Sequence, residues 1–345
     1  MTAATDEPTG LDTERLRTWL RAAVEPSLIA VEATRIGGGN SSGAWRLDLA
    51  TPTSACAVAL KAPNDGGLVY ACDAAREARI LAAAGKSGAP VPRVLAIDAS
   101  GEILGMPCFV MEFVEGGGVP DDTPASFHGD GWFRDADVGT QRAVWWSFLD
   151  ALGDLHAVDT QSVPAQYETG GVAEVLGYWR RSLLDAAPAH RVPRQLAVID
   201  WLTHHIPAGA DDDPALCMGD ARLGNALLNG TDVHTLVDFE VAYIGNPAAD
   251  IGYCLMQESF TRLLTDRPAA GIPSAGETWA HWETKTGRTE TDRDYWAAFG
   301  ATILCVTATR ALLQWGMPVD TIDNDNLVVD QWERLIARAA ASGAR

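Results

Sequence analysis

The sequence predicts an α+β protein with a small, mostly β N-terminal lobe and a larger, mostly helical C-terminal lobe. Short β-prone runs dominate the first 114 residues, whereas segments of helical periodicity dominate the chain after about residue 140. A cluster of breaker residues, Glu115-Gly116-Gly117-Gly118-Val119-Pro120, separates the two regions. A chain of 345 residues also exceeds the usual size of one compact domain. We therefore predict lobes at residues 1–114 and 115–345.

The N-terminal lobe begins with apolar residues at helical spacing, which predict an amphipathic helix over 11–24. Strand-like flanks surround the glycine-rich segment Gly37 to Gly43, which is typical of a hairpin loop. The remaining predicted elements are a strand at 56–62, a helix at 72–85 and strands at 94–97 and 108–114.

The C-terminal lobe is predicted to be helical, with short strands and turns at 215–240. Its predicted helices cover 140–158, 172–186, 193–206, 248–264, 291–315 and 326–342. Residues 266–290 are rich in Pro, Gly and Thr and predict an exposed loop or lid. Four tryptophans, Trp279, Trp282, Trp296 and Trp315, are predicted to pack between helices.

Composition narrows the class of partner. The net charge of −20, from 46 acidic and 26 basic residues, would repel nucleic-acid phosphates, so we expect no nucleic-acid partner. The six cysteines form no CxxC pair, and most lie in apolar runs, which predicts buried free thiols in a reducing compartment. We find no signal-peptide pattern and no apolar run of about 20 residues, so we expect a cytoplasmic protein with no membrane partner. The oligomeric state stays open.

Three polar side chains in the second lobe carry the strongest chemical signal. Asp220 and Asn225 lie five residues apart in Met218-Gly219-Asp220-Ala221-Arg222-Leu223-Gly224-Asn225, and Asp238 follows thirteen residues later, after a strand pair. Phosphoryl transfer needs a carboxylate that orients the attacking hydroxyl and accepts its proton, and oxygen ligands for Mg²⁺. An Asp-x₄-Asn loop followed by an Asp at a strand end supplies these groups in the order that kinases use. We expect the three side chains to converge.

These motifs, together with Gly245-Asn246-Pro247-Ala248-Ala249-Asp250-Ile251-Gly252, resemble the aminoglycoside phosphotransferase and choline kinase-like family. Trp282-Glu283-Thr284-Lys285-Thr286-Gly287-Arg288 is similar to the branch related to the kinase-like domain of acyl-CoA dehydrogenase family members. The resemblance runs from about residue 30 to 320. It implies a protein-kinase-like two-lobed fold and transfer of the γ-phosphoryl group of ATP or GTP, with Mg²⁺, to a hydroxyl of a small molecule.

In the second lobe, the resemblance implies that Asp220 is the catalytic base or the carboxylate that orients the hydroxyl. Asn225 and Asp238 would hold Mg²⁺. Arg222 would stabilise charge on the transferring phosphoryl group. Asp250 would anchor the loop rather than touch substrate.

In the first lobe, the resemblance implies six nucleotide-binding residues: Lys61, Glu77, Ser41, Ser42, Glu112 and Val114. Lys61 ends a strand, as the phosphate-binding lysine of kinases does, and Glu77 stands where its ion-pair partner belongs. Ser41 and Ser42 would cover the phosphates together with backbone N–H groups. The backbone of Glu112 and Val114 would hydrogen-bond the adenine edge.

Two other classes of function stay open. Many family members have His where this chain has Met218, which suggests a catalytically weak, pseudokinase-like nucleotide-binding or scaffold protein as the alternative. A metal-dependent hydrolase using Asp220 and Asp238 is a third possibility, but it explains neither Lys61 nor Glu77. The sequence does not choose between ATP and GTP. Nor does it choose the acceptor: the acidic balance is compatible with cationic aminoglycosides, whereas the branch suggests a hydroxyacyl thioester or another hydroxylated metabolite.

Overall fold

The computed structural model describes residues 11–38, 41–64, 67–121, 124–163, 171–318, 323 and 327–342. The chain divides into two compact units. Unit 1 comprises Met1–Lys86 and Val91–Glu115, and unit 2 comprises Ser87–Pro90 and Gly116–Arg345. Unit 1 is built on a sheet and unit 2 mostly on helices.

Unit 1 contains one five-stranded antiparallel sheet of order β1-β2-β3-β5-β4. Its strands are β1 (Ala30–Gly38), β2 (Ser42–Ala50), β3 (Ala55–Pro63), β4 (Val94–Asp98) and β5 (Cys108–Glu112). Its helices are α1 (Thr13–Ala23) and α2 (Ala74–Lys86). The strand prediction for 108–114 was two residues too long, because pairing of β5 ends at Glu112.

Alternation along β3 separates the core of unit 1 from its candidate functional residues. Val58 and Leu60 join the buried cluster that contains Leu16 of α1. Successive side chains of a strand point to opposite faces, so Lys61 lies on the other face, where it meets Glu77 of α2. The central strand therefore carries a lysine on one face and core packing on the other.

Unit 2 combines helices with short strands. Its helices are α3 (Trp132–Asp135), α4 (Val138–His156), α5 (Val172–Ala186), α6 (Pro193–His204), α7 (Ala248–Arg262), α8 (Ala275–Thr286), α9 (Arg293–Gln314) and α10 (Leu327–Ser342). Its strands are β6 (Gly117–Gly118), β7 (Ala215–Cys217), β8 (Ala226–Asn229), β9 (Asp232–Leu236) and β10 (Tyr243–Gly245). β7 pairs with β10, and β8 lies between β6 and β9.

The prediction of a loop or lid at 266–290 was wrong, because α8 forms inside it. Ser274 caps this helix and exchanges hydrogen bonds with Glu277 in a capping box, and Gly287 ends it in the left-handed conformation. Trp279 and Trp282 are buried on its inner face. The expectation that Trp315 packs between helices was also wrong, since it is 66% exposed.

Within the described part of the chain, α9 is the one helix whose length and composition would allow it to cross a membrane. It has 22 residues, and its most apolar window has a mean hydropathy of 1.5, so the expectation that no such run exists was wrong. However, 61% of that window is buried inside the protein, and α9 packs against α5, α6, α7 and α10. Core helices commonly have this composition.

The six cysteines all lie in described segments, and all are free thiols. Cys108, Cys217, Cys254 and Cys305 are buried, as expected, whereas Cys56 is exposed and Cys72 is partly exposed. Burial in apolar surroundings raises the pKa of the Cys108 thiol to about 12, so this thiol stays protonated.

Candidate functional site

The candidate loop of unit 2 follows β7, and its second residue is a glycine that no other residue could replace without strain. Gly219 has a φ of +80°, a conformation that L side chains rarely adopt. A Cβ atom there would lie 2.6 Å from the carbonyl oxygen of Val241. The backbone at Gly219 therefore packs closely against the backbone at Val241, and Asp220 follows at the start of the turn.

Asp250, near the start of α7, holds the backbone of this loop. Its Oδ2 accepts a hydrogen bond from the Met218 N–H at 2.7 Å, and its Oδ1 accepts one from the Gly219 N–H at 2.9 Å. His156 Nε2 lies 3.0 Å from the same carboxylate, and Trp282 Nε1 donates to His156 Nδ1 at 3.0 Å. Because an indole N–H can only donate, a neutral His156 carries its proton on Nε2 and donates it to Asp250. The predicted loop-anchoring role of Asp250 is confirmed, and His156 is a buried histidine with both ring nitrogens hydrogen-bonded.

The carboxylate of Asp220 is held on both oxygens. Tyr253 Oη donates to Oδ1 at 2.5 Å, whereas Arg222 Nε and Asn225 Nδ2 donate to Oδ2 at 2.9 and 3.0 Å. Burial and the charge of Asp220 raise the pKa of Tyr253 well above its usual value, so the phenol remains a donor. The Asp220 side chain is still 21% exposed, which leaves it accessible.

Arg222 lies between two carboxylates. Its Nε binds Asp220, and its Nη1 donates to Oδ2 of Asp121. The nearby charges of Asp220, and then of Asp121, raise the pKa of the guanidinium against the effect of burial. Gly224 makes room for this pair, since a Cβ atom there would lie 2.4 Å from Asp121 Oδ2. Two of the three guanidinium nitrogens thus bind carboxylates.

The predicted metal-binding residues lie on neighbouring strand ends. The Val237 N–H donates to the carbonyl oxygen of Asn225 at 2.9 Å, so Asp238 follows directly on the segment paired with Asn225. Asp238 has a φ of +72°, an uncommon conformation for a non-glycine residue and one found at functional sites. The amide nitrogen of Asn225 faces Asp220, which leaves its oxygen Oδ1 as a metal-binding atom. One amide oxygen and one carboxylate are the donor types that Mg²⁺ prefers.

No group of three or more His, Cys, Asp or Glu side chains suited to a metal ion occurs among the described residues. The donor set of Asn225 and Asp238 therefore suits a cation that takes its remaining ligands from phosphate oxygens and water, as protein-bound Mg²⁺ usually does.

In unit 1, Lys61 and Glu77 form a buried ion pair. Lys61 Nζ donates to Glu77 Oε1 at 2.8 Å, and the two side chains are 10% and 2% exposed. This is the arrangement that the sequence predicted. It fixes the ammonium on β3 against α2.

The other predicted nucleotide-binding residues also lie in unit 1. Ser41 directly precedes β2 and Ser42 begins it, and both residues are buried. Ser42 Oγ lies 3.9 Å from Cys72 Sγ. The middle of the glycine-rich segment, residues 39–40, lies outside the described residues.

In the segment predicted to bind the adenine edge, the Glu112 N–H donates to the Arg93 carbonyl oxygen at 2.9 Å. Val114 lies beyond the last paired residue of β5. The Glu112 N–H is thus already bonded within unit 1, and Val114 is not part of the strand ladder. Their nucleotide-binding role stays a prediction.

The family model described as the phosphotransferase enzyme family matches residues 32–285. The chain belongs to this family. Acyl-CoA dehydrogenase family member 11 of Gallus gallus is 29% identical over 205 residues, which are 56% of this chain and 24% of that protein. The chain thus spans about a quarter of the length of this curated relative. The predicted resemblance to the family and to this branch is confirmed.

Solved structures confirm the predicted protein-kinase-like fold. A Ralstonia eutropha protein assigned as an aminoglycoside phosphotransferase superposes with a TM-score of 0.71 at 21% identity, over 96% of this chain and 99% of that one. A thermostable mutant of the aminoglycoside phosphotransferase APH(4)-Ia, solved with AMP-PNP and hygromycin B, superposes with a TM-score of 0.58 at 12% identity. That match covers 94% of this chain and 98% of the other.

Sequence reasoning missed several side chains that contact the candidate site: Asp121, Ser126, Tyr253 and Gln257. Asp121 lies 101 residues from Arg222 along the chain, so no local spacing indicates the pair. Tyr253 and Gln257 carry a partial signal, because they follow Asp250 at positions i+3 and i+7 of one helix.

Proposed function

We propose that this phosphotransferase transfers the γ-phosphoryl group of ATP or GTP to a hydroxyl of a small molecule in the cytoplasm. The observation that carries the proposal is the arrangement around Asp220. An accessible carboxylate is oriented by Asn225 and Arg222, next to a strand end that presents Asp238 in an uncommon backbone conformation. The six free cysteines agree with a reducing compartment.

Asp220 would orient the acceptor hydroxyl and take its proton. The acceptor oxygen forms a bond to the γ-phosphorus, the bond from that phosphorus to the β,γ-bridging oxygen breaks, and the nucleoside diphosphate leaves. The proton of the hydroxyl passes to the Asp220 carboxylate, which already accepts three hydrogen bonds. These three donors hold the carboxylate in one orientation before substrate arrives, so little reorganisation remains.

Asn225 and Asp238 would hold Mg²⁺ through Oδ1 and the carboxylate. When bound, Mg²⁺ neutralises charge on the phosphate oxygens. The protein's own contribution is to present two oxygen donors at adjacent strand ends, with Asn225 fixed by its bonds to Asp220.

Lys61 would bind the nucleotide phosphates, with Glu77 keeping its ammonium in place. Ser41 and Ser42 would approach the phosphates through the backbone, and Glu112 and Val114 would bind the base edge. The similarity to APH(4)-Ia, whose mutant was solved with AMP-PNP, supports a nucleotide as donor.

For the acceptor we propose a hydroxylated metabolite, either a hydroxyacyl thioester or an aminoglycoside. The match to acyl-CoA dehydrogenase family member 11 supports the first, and the family and the acidic charge support the second. Arg222 retains Nη2 for an anionic group of a substrate, since its other two nitrogens bind Asp220 and Asp121.

A nucleotide-consumption screen tests the proposal. Purified protein, ATP or GTP and Mg²⁺ are combined with hygromycin B, kanamycin, choline, glucose or 3-hydroxybutyryl-CoA, and phosphorylated product is detected by mass spectrometry. Asp220→Asn is expected to lose transfer while still binding nucleotide, because the amide cannot accept the proton. Asp232→Asn, an exposed aspartate at the start of β9, serves as the matched control. Full turnover by Asp220→Asn would remove the proposed base.

The alternative of a weak, pseudokinase-like binding protein rests on Met218. In this structure the Met218 side chain is fully buried, and its backbone N–H, rather than its side chain, binds Asp250. The loop can therefore keep its shape without the histidine that many relatives have there. Nucleotide binding without product in any arm of the screen would favour the alternative.

A further inference from the structure

One buried face of α7 carries polar side chains at helical spacing. Asp250, Tyr253, Gln257 and Thr261 are all less than 7% exposed, and they occupy positions i, i+3, i+7 and i+11. Buried polar groups are costly unless they are hydrogen-bonded, so such a face needs partners. The first three residues find their partners outside the helix, in or near the catalytic loop.

Tyr253 reaches the catalytic carboxylate directly. Its phenol donates to Asp220 Oδ1 at 2.5 Å, on the oxygen that neither Arg222 nor Asn225 binds. Without this bond, Arg222 and Asn225 would hold the carboxylate through Oδ2 alone, and Oδ1 would lose the donor that fixes its position.

Gln257 reaches the other side of the site through a relay. Its Nε2 donates to Ser126 Oγ at 3.0 Å, and Ser126 Oγ donates to Asp121 Oδ1. Asp121 in turn accepts from Arg222, which binds the second oxygen of Asp220. Ser126 has a φ of +51°, so the residue whose side chain bonds to Asp121 has an uncommon backbone conformation.

Two glycines fix the depth at which α7 lies. A Cβ atom on Gly252 would lie 2.2 Å from the carbonyl oxygen of Trp296 in α9. A Cβ atom on Gly300 of α9 would lie 2.5 Å from the backbone nitrogen and Cα of Tyr253. The absence of side chains at both positions lets α9 pack directly against the backbone that carries the polar face.

We propose that α7 is the positioning helix of this phosphotransferase, with Tyr253 fixing one oxygen of Asp220 and Gln257 fixing the other through Ser126, Asp121 and Arg222. The proposal rests on the proposed function of Asp220. It assigns Tyr253 and Gln257 as positioning residues, which act through the carboxylate and need not touch substrate.

The test compares Tyr253→Phe and Gln257→Met with Thr261→Val as the control on the same face. Thr261 Oγ1 bonds only to carbonyl oxygens of its own helix, Gln257 and Glu258, so its loss should leave the site unchanged. Each variant is assayed as the full chain with ATP and Mg²⁺, using the best acceptor of the screen, or water if none reacts. kcat and the KM for ATP are measured separately.

Tyr253→Phe is expected to lower kcat by about 10- to 100-fold, because it removes a hydrogen bond to a charged group. Gln257→Met acts through a longer relay, and we expect a decrease of about 3- to 10-fold. The KM for ATP should change by less than about twofold in both variants, because a positioning role affects transfer rather than nucleotide binding. Wild-type kcat in Tyr253→Phe, or an equal loss in Thr261→Val, would overturn the proposal.

Crystal structures of the wild type and of Tyr253→Phe give a readout that needs no activity. The expected result is an Asp220 carboxylate that is rotated or present in several orientations in the variant. If wild-type protein transfers phosphate to none of the acceptors, the proposed function is wrong, whereas the positioning role is then judged by these structures. An identical Asp220 orientation in both crystals would refute it.

Discussion

Replacing Lys61 by methionine tests whether the buried pair of unit 1 exists for function or for stability. Lys61 and Glu77 meet at 2.8 Å with side chains 10% and 2% exposed, so both charges are largely removed from water. Methionine keeps the length of the side chain but leaves the Glu77 carboxylate without this partner. Breaking one side of a buried pair costs about 3–5 kcal/mol of unfolding free energy.

The companion variant Glu77→Leu should cost a similar amount, about 3–5 kcal/mol, since it leaves the ammonium of Lys61 without its carboxylate. Changing both residues removes both charges and replaces them with apolar side chains of similar volume. Such replacements are often neutral, so we expect the double variant to lie within about 1–2 kcal/mol of the wild type. The two losses would then be strongly non-additive, as expected for direct partners.

Urea unfolding followed by tryptophan fluorescence measures the stabilities, and ATP-dependent turnover measures function. The double variant should regain stability and still lack efficient use of ATP, with kcat/KM at least about tenfold below wild type. Arg17→Met, which breaks the exposed pair with Glu14, is the control and should change the unfolding midpoint little, because water screens that pair. Single variants as stable as wild type, or a fully active double variant, would refute the reasoning.

Two further predictions concern packing and pH. Gly252→Ala should destabilise the protein by about 1–3 kcal/mol in thermal unfolding, because its Cβ would lie 2.2 Å from the Trp296 carbonyl oxygen. Gly276→Ala is the control, because the space around Gly276 is open, and it should not destabilise the protein. Equal melting temperatures of the two variants would contradict the predicted clash. Hydrogen bonds from the Ser274 side chain and backbone lower the pKa of Glu277 from 4.5 to about 2, so its stabilising effect is complete above pH 4.5 and is lost as pH falls toward 2. The difference in melting temperature between wild type and Glu277→Gln should therefore narrow from pH 5 to pH 3. A constant difference would count against a stabilising role of the ionised Glu277 carboxylate.

The architecture was largely predictable because most helices and strands carry a local periodic signal. α5 begins and ends where the sequence predicted, since its apolar positions repeat at helical spacing through the whole element. α8 was not predicted, because the Pro, Gly and Thr residues of 266–290 are typical of a loop although the segment also carries helix-capping residues. Ser274 and Glu277 stand three residues apart before Trp279 and Gly287 follows the helix, a pattern that indicates both ends.

Residue spacing alone predicted the site only where its residues are close in the chain, whereas the role of Asp250 and the Lys61–Glu77 pair came from the resemblance to the family. Asp220 and Asn225 lie five residues apart, and their side chains do meet. Tyr253 and Asp121 contact Asp220 and Arg222 across 33 and 101 residues, distances at which no spacing rule applies. These contacts require that α7 packs deeply against the rest of unit 2 and that the chain after β6 adopts its particular conformation. Both features result from tertiary packing rather than from local sequence.

The effect of Met218 on function also depends on tertiary contacts rather than on the local sequence pattern. Its departure from the family pattern is visible in the sequence, but what the departure means depends on which atoms hold the loop. Asp250 binds the backbone N–H groups of Met218 and Gly219, and His156 and Trp282 support Asp250 from the far side. A backbone anchor accepts any side chain that fits the core, so methionine at 218 is compatible with a properly shaped loop. The Asp220 carboxylate is likewise held independently of the side chain at 218, because each of its oxygens accepts a hydrogen bond from Tyr253, Arg222 or Asn225.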